Sequence, residues 1–187
     1  MQLRIYKISH PLIKLMLGRI NTECISNIDR EYCERYMGFL IIYEILRKSI
    51  ILKRIYIGLL GGTKEIEITD NKTKNIILTN TSETYSMITE IKCIISNLEV
   101  IHLEYDNEIR IENYIKNNST MNKSSCILIL EKITKDYQIM NLLDYLISTE
   151  NITQNQISIG NIFSKSEVLK KISKRYPELK IYTTQVE

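Results

Sequence analysis

Three polar segments hold the side chains most able to do chemistry. They are Thr79-Asn80-Thr81-Ser82-Glu83, Asp106-Asn107-Glu108 and Glu131-Lys132-Ile133-Thr134-Lys135-Asp136. Thr79, Thr81 and Ser82 could offer hydroxyls to a phosphate, and Asp106, Glu108 and Glu131 could offer oxygens to Mg²⁺. Lys132 and Lys135 could pair with an anion. Each has a plainer role: the hydroxyls cap the helix that follows, the carboxylates are solvated loop groups, and the lysines are surface. The plainer roles are favoured because a phosphate cradle turns several backbone N–H groups onto one anion, which takes glycine. None of the three segments contains one, and the whole chain has 6. His10 and His102, the 2 histidines, are far apart in sequence and complete no Ser/His/Asp or Cys/His set. Cys24, Cys33, Cys93 and Cys126 have no CxxC spacing, so neither a zinc site nor a disulfide is expected. No catalytic residue and no metal ligand is assigned. Thr134 and Glu131 stand as the substrate-binding candidates.

These segments must be held by a core, and the chain has one to build. Its 187 residues are 44% hydrophobic and 25% charged, which suits one globular domain. The net charge of +3 is too small to argue for nucleic acid or an acidic membrane. No apolar run approaches the roughly 20 residues that span a bilayer, and the opening Met1–Lys7 has no leader character. There are 36 Ile and no Ala or Trp. Lys, Asn and Tyr are also heavily used, which points to an A/T-rich genome such as a plastid or a reduced symbiont. A plastid location without a targeting segment follows as the expectation, with the cytoplasm otherwise.

Ser26-Asn27-Ile28-Asp29 reads as a capping box opening a long helix whose buried face holds Tyr32, Tyr36, Met37, Leu40, Ile41 and Ile45. Ile50–Ile57 and Glu65–Ile68 read as strands around a Gly61-Gly62 turn. Beyond them strand and helix alternate. Strands are expected at Asn75–Leu78, Glu99–Tyr105, Cys126–Leu130, Gln156–Phe163 and Leu179–Tyr182. The helices between carry Ile88, Ile91, Ile95 and Leu98; Tyr137, Met140, Leu143 and Leu146; and Leu169 and Ile172. A second capping box is expected at Ser164-Lys165-Ser166-Glu167, an edge ribbon at Ile109–Ile111, and a mobile loop at Asn113–Ser125. The fold class is α/β: a mostly parallel, Rossmann-like sheet with helices on both faces. Residues 1–48 form an N-terminal helical arm and long helix, and 49–187 the α/β core of the same single domain. Ligands of such sheets bind beyond the carboxyl ends of the strands, where the three polar segments lie.

Ser9-His10-Pro11-Leu12-Ile13-Lys14-Leu15-Met16-Leu17-Gly18 resembles the opening segment of uracil phosphoribosyltransferases. Ile25-Ser26 and Leu40-Ile41-Ile42-Tyr43-Glu44 follow at matching distances. The end, Ile157-Ser158-Ile159, Glu167-Val168-Leu169 and Tyr176-Pro177-Glu178-Leu179-Lys180-Ile181-Tyr182-Thr183, looks like the family's last βαβ segment. The resemblance implies a type I phosphoribosyltransferase fold and a homodimer built with the N-terminal arm. It also implies transfer of phosphoribose from phosphoribosyl pyrophosphate (PRPP) to uracil with Mg²⁺, in pyrimidine salvage.

The family's motifs are missing where that chemistry needs them. Its Pro-Ile-Leu-Arg-Ala-Gly segment falls near Asn80–Thr84, where there is neither Arg nor Gly. Its Asp-x-x-x-Ala-Thr-Gly-Gly-Ser loop falls on Glu131–Tyr137, where an acidic residue and Thr134 remain and the glycines do not. Its uracil segment lies past the last strand, and the sequence stops at Val186-Glu187. The expectation is therefore a catalytically inactive, truncated homologue without cofactor, serving an unidentified protein partner or a nucleotide-like ligand. The alternative is residual activity with a pocket completed by a partner subunit.

Overall fold

Isoleucine, a residue stiffened at χ1 and favoured in strands, builds the middle of this protein. The computed structural model describes residues 3–22, 24–70, 74–95, 98–104, 111–113, 115, 125–134 and 138–187. In chain order the strands are β1 (Arg4–Lys7), β2 (Leu52–Leu59), β3 (Gly62–Thr69), β4 (Asn75–Thr79), β5 (Leu98–His102), β6 (Cys126–Thr134), β7 (Ile157–Ser164) and β8 (Lys180–Val186). The helices are α1 (Pro11–Ile20), α2 (Asn27–Leu46), α3 (Thr81–Ile94), α4 (Gln138–Ser148) and α5 (Ser166–Arg175).

Six strands form one sheet in the order β1-β8-β7-β6-β4-β5, every pair parallel. A parallel sheet must be covered on both faces. On one, Ile77, Leu128, Leu130 and Ile162 pack with Ile13 of α1, Met37, Ile41 and Ile42 of α2, and Met87 and Ile91 of α3. On the other, Ile76, Leu78, Ile127, Ile129 and Ile159 pack with Leu142, Leu143 and Leu146 of α4 and Leu169 and Ile172 of α5. The alternation along β6 assigns its residues to the two layers in turn. The expected α/β class is what the structure has. β2 and β3 form a separate antiparallel hairpin turned at Gly62, whose φ of 150° favours glycine.

Gly38 and Gly160 serve close packing. A Cβ on Gly38 of α2 would lie 2.4–2.7 Å from Met87 Cβ, Cα and O of α3. A Cβ on Gly160 would meet Ile41 and Ile45 at 2.9 Å. Two of the few glycines thus let α2 settle onto α3 and the sheet.

Several expectations are corrected. β6 does not end at Leu130: it continues to Thr134, pairing Ile133 with Phe163 and Thr134 with Ser164, because its polar residues meet partners on β7 and α2. Leu98 belongs to β5, not to α3. Tyr32 and Tyr36 are half exposed rather than on the buried face of α2, which starts at Cys33 and Met37. Ile111 is a buried residue in helical backbone rather than an edge ribbon, and Glu112, Asn113 and Ile115 share that backbone. Ile109, 116–124 and Tyr137 lie outside the described residues. The second capping box does not form. Lys165 is the N-cap residue of α5 without a side-chain cap bond, and Ser164 ends β7. The first box holds in modified form. Ser26 Oγ accepts the Asp29 N–H at 3.1 Å and donates to the Asp29 carboxylate at 2.7 Å.

Between α4 and α5, Asp144 receives both the Tyr176 hydroxyl and Arg175, the latter at 2.7 Å. Burial, followed by the Asp144 carboxylate, pushes the Tyr176 phenol well above its usual range. The folded state holds this proton more tightly than the unfolded chain does. The tyrosine's contribution is therefore full below pH ~10, the unfolded value, and is lost as pH rises above it. Thermal melts from pH 8 to 11 are expected to show a steeper alkaline loss for the natural protein than for Tyr176→Phe.

Candidate functional site

β5 is added on one side of β4, while β6, β7 and β8 are added on the other, so the strand order reverses between β4 and β6. In open α/β sheets such a switch point opens a crevice at the carboxyl ends. Thr79 ends β4 there, Asn80–Ser82 start α3, and Glu131–Thr134 finish β6.

Of the three hydroxyls offered to a phosphate, those of Thr79 and Thr81 are engaged in the fold, and Ser82 is exposed. Thr79 is buried, its Oγ1 donates to the Leu130 carbonyl at 2.6 Å, and the Thr84 hydroxyl lies 2.6 Å away. Thr81 Oγ1 is 2.8 Å from His102 Nδ1. Ser82 presents its N–H to Asn80 Oδ1 at 3.1 Å, so Asn80 is the cap of α3. Capping is the role this segment plays.

Both histidines are helix-start residues, which the sequence reasoning missed. His10 Nδ1 accepts the Leu12 N–H at 3.2 Å at the start of α1, with Pro11 as first helical residue. His102, at the end of β5, accepts the Thr81 N–H through Nδ1 at 3.2 Å. Accepting at Nδ1 assigns the neutral tautomer with its proton on Nε2. For His102, Nε2 lies 3.9 Å from the Glu104 carboxylate. The His-Pro pair was a readable signal for the first cap, since proline favours that position. Nothing local marks the second, where the partners are 21 residues apart.

Thr134 is buried, and its hydroxyl accepts from Asn161 Nδ2. Asn161 Oδ1 accepts the Ser164 hydroxyl at 2.8 Å, and Ser164 lies 3.0 Å from the Thr183 hydroxyl. Thr183 donates to the Gln185 carbonyl at 3.0 Å. Asn161, Ser164 and Thr183 are buried as well. A chain of buried side chains therefore laces the carboxyl ends of β6, β7 and β8, and satisfied networks of this kind rigidify the backbone that carries them. Sequence pattern offered Ser164 only as a helix cap and gave Asn161 and Thr183 no role at the site. Their one signal is polarity inside otherwise apolar strands.

Glu131 is half-buried in β6 opposite Asn161. Lys132 Nζ is 2.6 Å from Glu34 of α2, an ion pair that ties the end of the strand to the helix above it. Lys135, Asp106 and Glu108 lie outside the described residues. Among the described residues no three His, Cys, Asp or Glu side chains come together. The four cysteines are unbridged, and burial raises the thiols of Cys33 and Cys126.

No family model matches the chain. A curated relative does. It is a uracil phosphoribosyltransferase homolog. The protein is from Porphyra purpurea and is 27% identical over 187 residues, covering all of this chain and 89% of the relative. Among solved structures, the AQ2163 protein from Aquifex aeolicus superposes with a TM-score of 0.72 at 18% identity, over 98% of this chain and 87% of that one. That likeness establishes the α/β fold. The Porphyra relative supports the resemblance to uracil phosphoribosyltransferases along the whole chain. No helix among the described residues is long and apolar enough to cross a membrane.

Proposed function

We propose that this protein is a uracil phosphoribosyltransferase homologue that no longer transfers phosphoribose and acts instead as a folded binding module. The observation that carries the reading is the course of β6. Where the resemblance places a PRPP loop, Glu131 and Ile133–Thr134 keep strand pairing with β7. Thr134 is turned inward to Asn161. Only residues 135–137 separate β6 from α4, and they are Lys, Asp and Tyr. A loop that wraps several N–H groups around a 5′-phosphate needs glycine, and residues 131–137 contain none.

The same reading includes a homodimer through the N-terminal arm. Leu12 and Leu15 of α1 and Ile28, Tyr32 and Tyr36 of α2 are each at least half exposed. Apolar exposure on two adjoining helices fits a self-association surface. A plastid location is kept as part of the proposal, on composition and on the compatible Porphyra relative. Neither a cofactor nor nucleic acid enters it.

The test is incubation of the protein at high concentration with labelled uracil, PRPP and Mg²⁺, alone and mixed with an active uracil phosphoribosyltransferase. The expected result is no UMP beyond that of the active enzyme. UMP made by the protein alone, or a stimulated yield in the mixture, overturns the proposal in favour of residual activity.

A further inference from the structure

We infer that the β2–β3 hairpin seats this protein on an anionic lipid surface through its apolar, lysine-bearing face. The hairpin is a two-stranded sheet of its own, and no residue of β2 or β3 is buried. Register and alternation sort its side chains onto two unlike faces. One face carries Ile55, Ile57 and Leu59 of β2 with Ile66 and Ile68 of β3. Its charges within the two strands are Lys53 and Lys64, both exposed. Asp70 follows β3 at the end away from the turn. The opposite face carries Tyr56, Glu65 and Glu67, and Arg54 Nε lies 3.3 and 3.2 Å from the two carboxylates. At the turn Leu60 is fully exposed and Leu59 more than half exposed.

Composition selects a lipid surface over a protein groove. The core of a protein interface is rich in aromatic residues and Arg and poor in Lys. Here Tyr56 and Arg54 are turned to the polar face, and the apolar face is aliphatic with lysine alone. Aliphatic side chains flanked by cations are what an element lying in the headgroup layer of an anionic membrane presents. The chain's net charge of +3 is small. The attraction comes from the sorting within the hairpin, which puts two cations beside the isoleucines and both strand carboxylates on the far side.

The seating is shallow. Among the described residues no strand pairs with the outer sides of β2 and β3, and open strand edges are not tolerated in hydrocarbon. At a depth of about 5–10 Å, the boundary of headgroups and acyl chains, those backbone groups stay hydrated. Leu59 and Leu60 then meet the acyl chains. Lys53 and Lys64 lay their stems along the apolar face and reach lipid phosphates with their ammonium groups. This surface is separate from the α1–α2 face, and its use does not depend on phosphoribosyl transfer.

The test uses the whole protein with vesicles of phosphatidylcholine, pure or with a quarter phosphatidylglycerol, read by flotation and by fluorescence. The chain has no tryptophan, so Leu60→Trp is a single reporter at the turn and Tyr85→Trp, exposed on α3, is its control. The natural protein is expected to float with the anionic vesicles. Lys53→Ala and Lys64→Ala should each weaken that binding about fivefold, and Leu59→Ser/Leu60→Ser about tenfold. Emission of Leu60→Trp should move to the blue on anionic vesicles and be quenched by lipids brominated on the acyl chain, while Tyr85→Trp does not change. Failure to float with anionic vesicles overturns the inference, as does equal binding to both vesicle types or a shift at Tyr85→Trp instead. So does Leu60→Trp emission that is already blue without vesicles and fades on dilution, since a second copy would then be the occupant.

Discussion

Gly38→Val is expected to lower stability by about 3 kcal/mol, the upper end of what overpacking a core usually costs. The reason is geometric. The added Cβ would lie 2.4–2.7 Å from Met87 Cβ, Cα and O. Cα and O are backbone, and the position of Cβ is fixed by the backbone, so a rotamer change on Met87 gives no relief. α2 and α3 must move apart, and Met37, Ile41, Met87 and Ile91 lose contact as they do. Urea denaturation followed by circular dichroism measures this as a lower midpoint with little change in slope. A midpoint within error of the natural protein would show that the two helices do not cross as closely as described. Gly18, with nothing within 4 Å of its added Cβ, is the control, and Gly18→Ala should leave the midpoint unchanged or raised.

The second large effect is at Asn161. Asn161→Ala removes the donor to Thr134 and the acceptor for Ser164, and both of those hydroxyls stay buried. Each abandoned polar group costs about 1–3 kcal/mol, about 2–6 kcal/mol for two, and Ser164 keeps the Thr183 hydroxyl as a partner, so a loss in the lower half, about 2–4 kcal/mol, is expected. Thr134→Val should cost less, because it abandons one group rather than two. A double-mutant cycle of the two gives the coupling. Coupling near zero would mean that Thr134 is not held by this network and is open to a ligand, which speaks against the proposed loss of catalysis.

The central sheet was legible because its signals are local and redundant. Ile76–Leu78, Ile127–Leu130 and Ile157–Ile159 are apolar runs between helical patterns, and any fold that buries them on both faces is an α/β sheet. The end of β6 was not legible. Glu131-Lys132-Ile133-Thr134 has loop composition, and it stays in the strand because Glu34, Asn161 and Ser164 meet it from α2 and β7. Those partners are 27 or more residues away in the chain. The same cause hid the failure of the second capping box: Ser164 has the composition of a cap, yet its hydroxyl is drawn to Asn161 and Thr183 inside the sheet. Pattern likewise could not show that Ile111 is helical and buried, since two isoleucines spaced by one residue read as a strand.

At the candidate site, the absence of glycine from the three polar segments was visible in the residues themselves. What the structure adds is where the remaining groups go. Thr79 bonds to Leu130, Thr81 to His102 and Thr134 to Asn161. The threonine hydroxyls that the sequence would offer to a sugar phosphate are bonded within the fold. The His102 cap on α3 belongs to the same arrangement, joining the edge strand to the helix that starts beside it.

Isothermal titration of the protein with PRPP in the presence of Mg²⁺ tests the central claim most directly. The account predicts no binding heat up to millimolar PRPP, for the natural protein and for Thr134→Val alike. Saturable one-to-one binding that disappears in Thr134→Val or Glu131→Gln would contradict it, because the cosubstrate would then be held at the end of β6, where Thr134 is bonded to Asn161.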